Sequence, residues 1–299
     1  MTKRISLAAA GICGALLLSL LTGAPAGPAN DFHFAIVGDR AGSPEPTIYG
    51  RVWREVDLLR PDFVMNVGDS IQGGDDAAAE KQWEEFRAIR EKYGRYPFFM
   101  TPGNHDVWSD LSKRLYERES GHPLHYSFDH GGMHVTVLDN SRGEVALSVG
   151  ELQFLEQDLA ANAAKHPKLV VFHKPYWIEA LQAGGDFPLH NLAKKYGVDY
   201  VVSGHGHRFA HMSRDGVRYM EVGSSGGSMR GKLVRGEGFS QGSFYHFVWA
   251  HVAGSTVRFV VKELPPPAGM GRMFPAEDWD EKGPRFDLDD PALKDKPRT

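Results

Sequence analysis

Strands alternating with amphipathic helices, followed by a run of strands, predict an α/β domain with two packed mixed β-sheets flanked by helices. Three observations carry that expectation. Short apolar runs recur between charged helical stretches from Phe32 to about Leu264. Several of these runs stop at a glycine followed by a polar residue. From Val217 onward the pattern changes to strands alone.

Phe32–Val37 reads as the first strand. Ile48, Val52, Val56 and Leu59 recur at helical spacing, so 48–59 is expected to be a helix. Phe63–Val67 is a second strand. Ala77–Tyr93 is a charged helix with Trp83, Phe86 and Ile89 on one side. Pro97–Met100 is a third strand, and Tyr126–Phe128 with His134–Leu138 forms a hairpin across Gly131-Gly132. Glu151–Ala164 reads as a helix and Leu169–Phe172 as a strand. Leu189–Tyr196 is a helix ended by Gly197, and Tyr200–Val202 is a strand. Val217–Val222, Phe244–Val252 and Thr256–Val261 complete the strands.

The 299 residues suffice for one large domain or two small ones, with a sizeable core. A formal net charge of −4 gives no general reason to seek nucleic acid or an anionic membrane. A small-molecule partner is expected, and no nucleic acid. The oligomeric state is not legible.

Lys3 and Arg4 precede an apolar run from Ile5 to Leu21, and Ala24-Pro25-Ala26 follows. That order reads as a Sec signal peptide over residues 1–26, and hence a secreted or periplasmic protein. The alternative is a retained N-terminal membrane anchor. Cys13 is the only cysteine and lies in this segment, so thiolates leave the list of metal ligands. Residues 32–264 are expected to form the main folded domain. Residues 265–299 open on Pro265-Pro266-Pro267 and read as a loosely ordered extension. Phe274, Trp279 and Phe286 leave open that it lies along the surface.

The chemistry gathers where strands end. The first strand runs into Gly38-Asp39, the second into Gly68-Asp69, and the third into Gly103-Asn104-His105-Asp106. The strand at 169–172 runs into His173, and that at 200–202 into Gly204-His205-Gly206-His207. Open α/β sheets place ligand sites beyond the carboxyl ends of their strands. A lone Gly-Asp after a strand is more often a turn, and a lone histidine more often a packed residue. Five such ends in one chain are hard to explain as turns.

The order Gly-Asp, Gly-Asp, Gly-Asn-His-Asp, His, Gly-His-x-His resembles the calcineurin-like metallophosphoesterases, over roughly Phe32 to Ser255. Phe172-His173-Lys174-Pro175 and Ser224–Gly231 resemble bacterial secreted members, and the purple acid phosphatases are more distantly similar. The resemblance implies a helix-flanked β-sandwich and hydrolysis of phosphoesters by a hydroxide held on a dinuclear metal centre. It implies that Asp69 bridges two metal ions. Asn104, His173 and His205 would complete one site, and Asp39 and His207 would serve the other. The ions would be divalent or trivalent Fe, Mn or Zn, which suit carboxylate, amide and imidazole donors. His105 would be the general acid, with Asp106 holding its imidazole.

Two positions depart from the family pattern. Many members carry a histidine two residues after the first aspartate, where this chain has Ala41. Purple acid phosphatases use a tyrosine three residues after the bridging aspartate, where this chain has Gln72. Water or Gln72 could fill the vacant position. Arg40 is a candidate to bind the substrate phosphate, or else a surface arginine or a partner to a nearby carboxylate. Asn104 is a second candidate substrate contact. Arg208, His211 and Arg230 are possible pocket residues. His122, His125, His134, His246 and His251 are read as structural or surface. A phosphodiesterase acting on nucleotide-like esters, and a non-catalytic metal- or phosphate-binding member, remain as alternatives.

Overall fold

The computed structural model describes residues 30–229, 241–265 and 273–276. The signal-peptide reading, Arg230 and most of the C-terminal extension lie outside the described residues. The first sheet contains β1 (Asp31–Val37), β2 (Phe63–Asn66), β3 (Phe98–Phe99), β10 (His246–Ala253), β11 (Thr256–Glu263) and β12 (Met273–Pro275). Its order is β12-β11-β10-β1-β2-β3. The second contains β4 (Tyr126–His130), β5 (Met133–Val137), β6 (Lys168–Val171), β7 (Tyr200–Ser203), β8 (Phe209–Arg214) and β9 (Val217–Val222). Its order is β4-β5-β6-β7-β9-β8.

Both sheets are mixed. β1, β2 and β3 run parallel, as do β5, β6, β7 and β9. Their outer partners are antiparallel. The parallel strands β2, β6 and β7 are buried along their whole length. That is why they read as short continuous apolar runs and not as alternating ones.

Three apolar clusters make four layers. Phe34, Ile36, Phe63, Val135, Val171, Val202 and Val248 meet between the sheets. On the outer face of the first sheet lie α1 (Ile48–Leu59), α2 (Asp76–Glu91) and α3 (Asp110–Ser120), packed through Trp53, Trp83 and Tyr116. On the outer face of the second lie α4 (Val149–Ala161), α5 (Trp177–Gln182) and α6 (Pro188–Tyr196), packed through Leu155, Trp177 and Leu189. Pro188 starts α6 where its missing N–H costs nothing, and Gly197 closes it at φ 64°.

The sandwich of two sheets between helices is the architecture expected from the sequence. Four elements were not anticipated. α3 carries few apolar residues, and its start depends on a reciprocal Ser109–Ser112 cap. α5 has only six residues. β8 interleaves His211 and Ser213 with apolar positions. Met273–Pro275, inside the expected loose extension, is an edge strand paired with β11. Among the described residues no helix is long and apolar enough to cross a membrane.

His134 clamps the β4–β5 hairpin to α4. Its ring nitrogens lie 2.8 Å from Asp129 and 2.9 Å from Asp158. Burial opposes the charged ring, but Asp158 and Asp129 override it and raise its pKa. A raised folded pKa contributes stability below the unfolded value of about 6.5, lost as pH rises through the folded value. Above about pH 6.5, the melting temperature of the native chain should therefore fall more steeply than that of His134→Gln. Parallel pH profiles of the two melts would contradict the clamp.

Candidate metal centre and active site

Parallel strands share one carboxyl edge, so β1, β2, β3, β6 and β7 deliver their following residues to one place. Two groups of side chains converge there. Asp69, His173 and His205 form one, and Asp39, Asp69 and His207 form the other. Within each group the donor atoms lie within 4.8 Å of one another, and Asp69 belongs to both. Asn104 joins the first group, with Oδ1 3.1 Å from His173 Nε2. His173 Nε2 is also 3.1 Å from Asp69 Oδ2 and 3.2 Å from His205 Nδ1. His207 Nε2 stands 3.4 Å from Asp39 Oδ2. All six residues expected as metal ligands are therefore brought together.

The backbone around them is strained. Asp69, His205 and His207 have φ of 57°, 73° and 52°, in the left-handed region that side-chain-bearing residues seldom adopt. Such strain persists only where surrounding structure holds it. Here the holding is visible. Asp39 Oδ2 accepts the His205 N–H at 2.7 Å. Gly68 sits at φ 104°, and a Cβ there would lie 2.5 Å from His173 Nδ1. Gly227 lies against the His207 ring, which a Cβ would meet at 2.8 Å.

The histidines are oriented from behind. His173 Nδ1 lies 2.7 Å from the Val67 carbonyl, and His207 Nδ1 pairs with the Ser228 carbonyl. With Nδ1 donating, Nε2 is left as the ligand atom, the usual second-layer arrangement of a metal-binding imidazole. The charge balance also calls for cations. Asp39 and Asp69 are both buried, and Asp39 Oδ1 has no hydrogen-bond partner. Burial raises the Asp39 pKa well above the carboxylate range. Burial also opposes charge on His173, but Asp69 overrides it and lifts the ring to about 9. The pocket thus draws a proton to the place where a cation would neutralise its carboxylates. The donor set and the orphaned oxygen fit transition-metal ions.

Several expected roles change. Asp106 does not touch the His105 imidazole. Its carboxylate accepts backbone N–H groups from Asp69 at 2.7 Å, Ser70 at 2.8 Å, Ile71 at 3.3 Å and Gly103 at 3.0 Å. Asp106 is a positioning residue that ties the Asp69 loop to the Gly103–Asn104 loop. His105 Nδ1 pairs instead with the Gln72 carbonyl, and its backbone N–H donates to Asp69 Oδ1 at 2.9 Å. Gln72 is not turned to the metal groups. Its Oε1 accepts the N–H groups of Gly42 and Ser43 at 3.1 and 3.0 Å. Arg40 donates to the Ser70 carbonyl at 3.0 Å and lies 5.9 Å from the Tyr49 ring centroid. Its partner is a backbone carbonyl, not the carboxylate that the alternative reading expected. His211 is buried in β8.

Glu221 is the residue that sequence reasoning missed. It is buried at the end of β9, 2.8 Å from Arg208 Nε, and its carboxylate lies against Gly206, where a Cβ would meet it at 2.0 Å. It backs the Gly-His-Gly-His turn from below. The one available signal was a glutamate inside an otherwise apolar strand end.

A helix-flanked double sheet with two carboxylate–imidazole clusters at its strand ends carries a candidate metal centre. The calcineurin-like phosphoesterase family model matches residues 29–209, more than half of the sequence, and the chain belongs to that family. The match ends at the start of β8, although β9, β10 and β11 complete the two sheets. No curated protein matches the chain. Among solved structures, the purple acid phosphatase PPD1 from yellow lupin (Lupinus luteus) is similar at TM-score 0.63 and 16% identity, covering 82% of this chain and 53% of that one. This chain thus spans about half the length of the lupin enzyme. GAP50, the anchor in the inner membrane complex of Plasmodium, is similar at TM-score 0.59 and 16% identity, covering 88% and 93%. At such identities these likenesses show the shared fold.

Proposed function

We propose that this chain hydrolyses phosphoesters at the two joined clusters, with His105 as proton donor to the leaving group, and that it acts outside the cytoplasm. The observation that carries the reading is the sharing of Asp69 between two converging groups of carboxylate and imidazole donors. When bound, two Fe, Mn or Zn ions would polarise the phosphoryl oxygen and acidify the attacking water. The remaining work falls to the chain's own residues. Asp69, Asn104 and His173 fix the face on which phosphate sits. An oxygen from water bonds to phosphorus as the P–O bond to the alcohol breaks; the departing oxygen takes the His105 proton, and the proton that water gives up passes to solvent, from which His105 is recharged. His105 is set for this by its two anchors, the Gln72 carbonyl and Asp69 Oδ1. The external location rests on Lys3-Arg4, the apolar run and Ala24-Pro25-Ala26.

The test is a comparison of p-nitrophenyl phosphate with its bis-ester, using the secreted form loaded separately with Mn, Fe and Zn. Turnover with at least one ion is the expected result, and the ratio of the two rates separates monoesterase from diesterase. No turnover with any ion would favour a non-catalytic metal- or phosphate-binding role.

A further inference from the structure

A groove of about 630 Å³ leaves the cluster at His205. One wall is the loop Glu144–Ala146, and the other is Pro175–Ala180 with Gln182. Its size falls in the range that holds a small organic ligand. Its walls are mainly apolar, made by Val145, Ala146, Pro175, Tyr176, Ile178 and Ala180. Val145 is 50% exposed, an aliphatic side chain that the fold does not use in its core.

The groove is built, not a gap between mobile parts. The buried Asn140 amide donates to the Val145 carbonyl at 2.7 Å and to the Lys174 carbonyl at 2.9 Å, bracing both walls. Its oxygen accepts the N–H of His173 at 3.1 Å, so the walls are referenced to a metal-site residue. Charge is distributed unevenly. At the cluster end the Arg208 guanidinium lies against Gly206 and is paired with the buried Glu221 at 2.8 Å. Glu144 and Glu179, both exposed, put negative charge on the rim.

We propose that this groove receives the alcohol portion of the substrate. The structure then selects phosphate esters of alcohols with an apolar alkyl or aryl body, uncharged or cationic at the far end, over those with an anionic tail. The proposal rests on phosphoester hydrolysis at the adjacent clusters. Phosphate binds at the cluster end, the apolar body lies along Val145 and Tyr176, and an anionic tail would meet Glu144 and Glu179. Val145 is the specificity-determining position.

Calorimetry with methyl-, butyl- and hexylphosphonate on the Mn-loaded protein tests this without turnover. Affinity should rise about two- to fourfold per added methylene as each is covered by the walls. A carboxylate at the far end of the same chain should weaken binding several-fold. Val145→Asn should flatten the chain-length dependence, and Val145→Phe should steepen it. Hydrolysis of the matching alkyl phosphates should follow in KM. Equal affinity for all three phosphonates would overturn the groove assignment while leaving the site reading intact. Failure of every phosphonate to bind, together with no turnover of methyl phosphate, would overturn both.

Discussion

His105→Ala should keep the metal content of the native chain and lose about 10²- to 10⁴-fold in kcat/KM on alkyl phosphates, the range of a lost general acid. An alkoxide needs a proton as it leaves, whereas p-nitrophenolate is stable without one. The loss on p-nitrophenyl phosphate should therefore be within about tenfold. The structure explains why metal should stay. The imidazole is absent from both converging donor groups, and its contact with Asp69 is made through the backbone N–H, which alanine retains. Plasma mass spectrometry of both proteins and a leaving-group series check the two halves. Equal loss on every leaving group would remove the proton-donor role. So would loss of metal along with activity, since His105 would then be a structural support.

The site was more legible in the sequence than its supports were. Asp39, Asp69, Asn104, His173, His205 and His207 each follow a short apolar run, and most have a glycine beside them. A buried parallel strand ending in a turn writes that local pattern directly into the sequence. The supports leave no such trace. Asp106 reaches backbone amides on another loop more than thirty positions away, at Asp69, Ser70 and Ile71. Ser228 reaches back to His207, and Glu221 lies beneath Gly206. Only the fold reveals which loops are neighbours. The missed elements have the same cause. α3 is held by Leu115 and Tyr116 with a serine cap, too sparse a stripe to show helical periodicity. β12 owes its existence to the open edge of β11, a partner rather than a propensity.

The arrangement around Asp106 yields the second large effect. Asp106→Ala would strand four buried N–H groups at once, three of them on the loop that carries the shared Asp69. Each unsatisfied buried donor costs about 1–3 kcal/mol. The four are neighbours and their costs do not simply add, so about 4–6 kcal/mol is the expected loss. That is a large part of the net stability of an ordinary domain, which is about 5–15 kcal/mol. Asp106→Asn keeps one carbonyl oxygen but turns an NH₂ toward the other donors, so it should fall between the native chain and alanine. Both variants should also bind metal more weakly, because Asp69 is held at φ 57° by this network. Urea unfolding with metal analysis measures both effects. The pairing of Asp106 with His105 implied by family resemblance makes the opposite forecast. On that view Asp106→Asn would keep stability and both ions, and would reproduce the leaving-group dependence of His105→Ala. Four N–H contacts to Asp106, and the Gln72 carbonyl on His105 in its place, favour loss of the loop over loss of the proton.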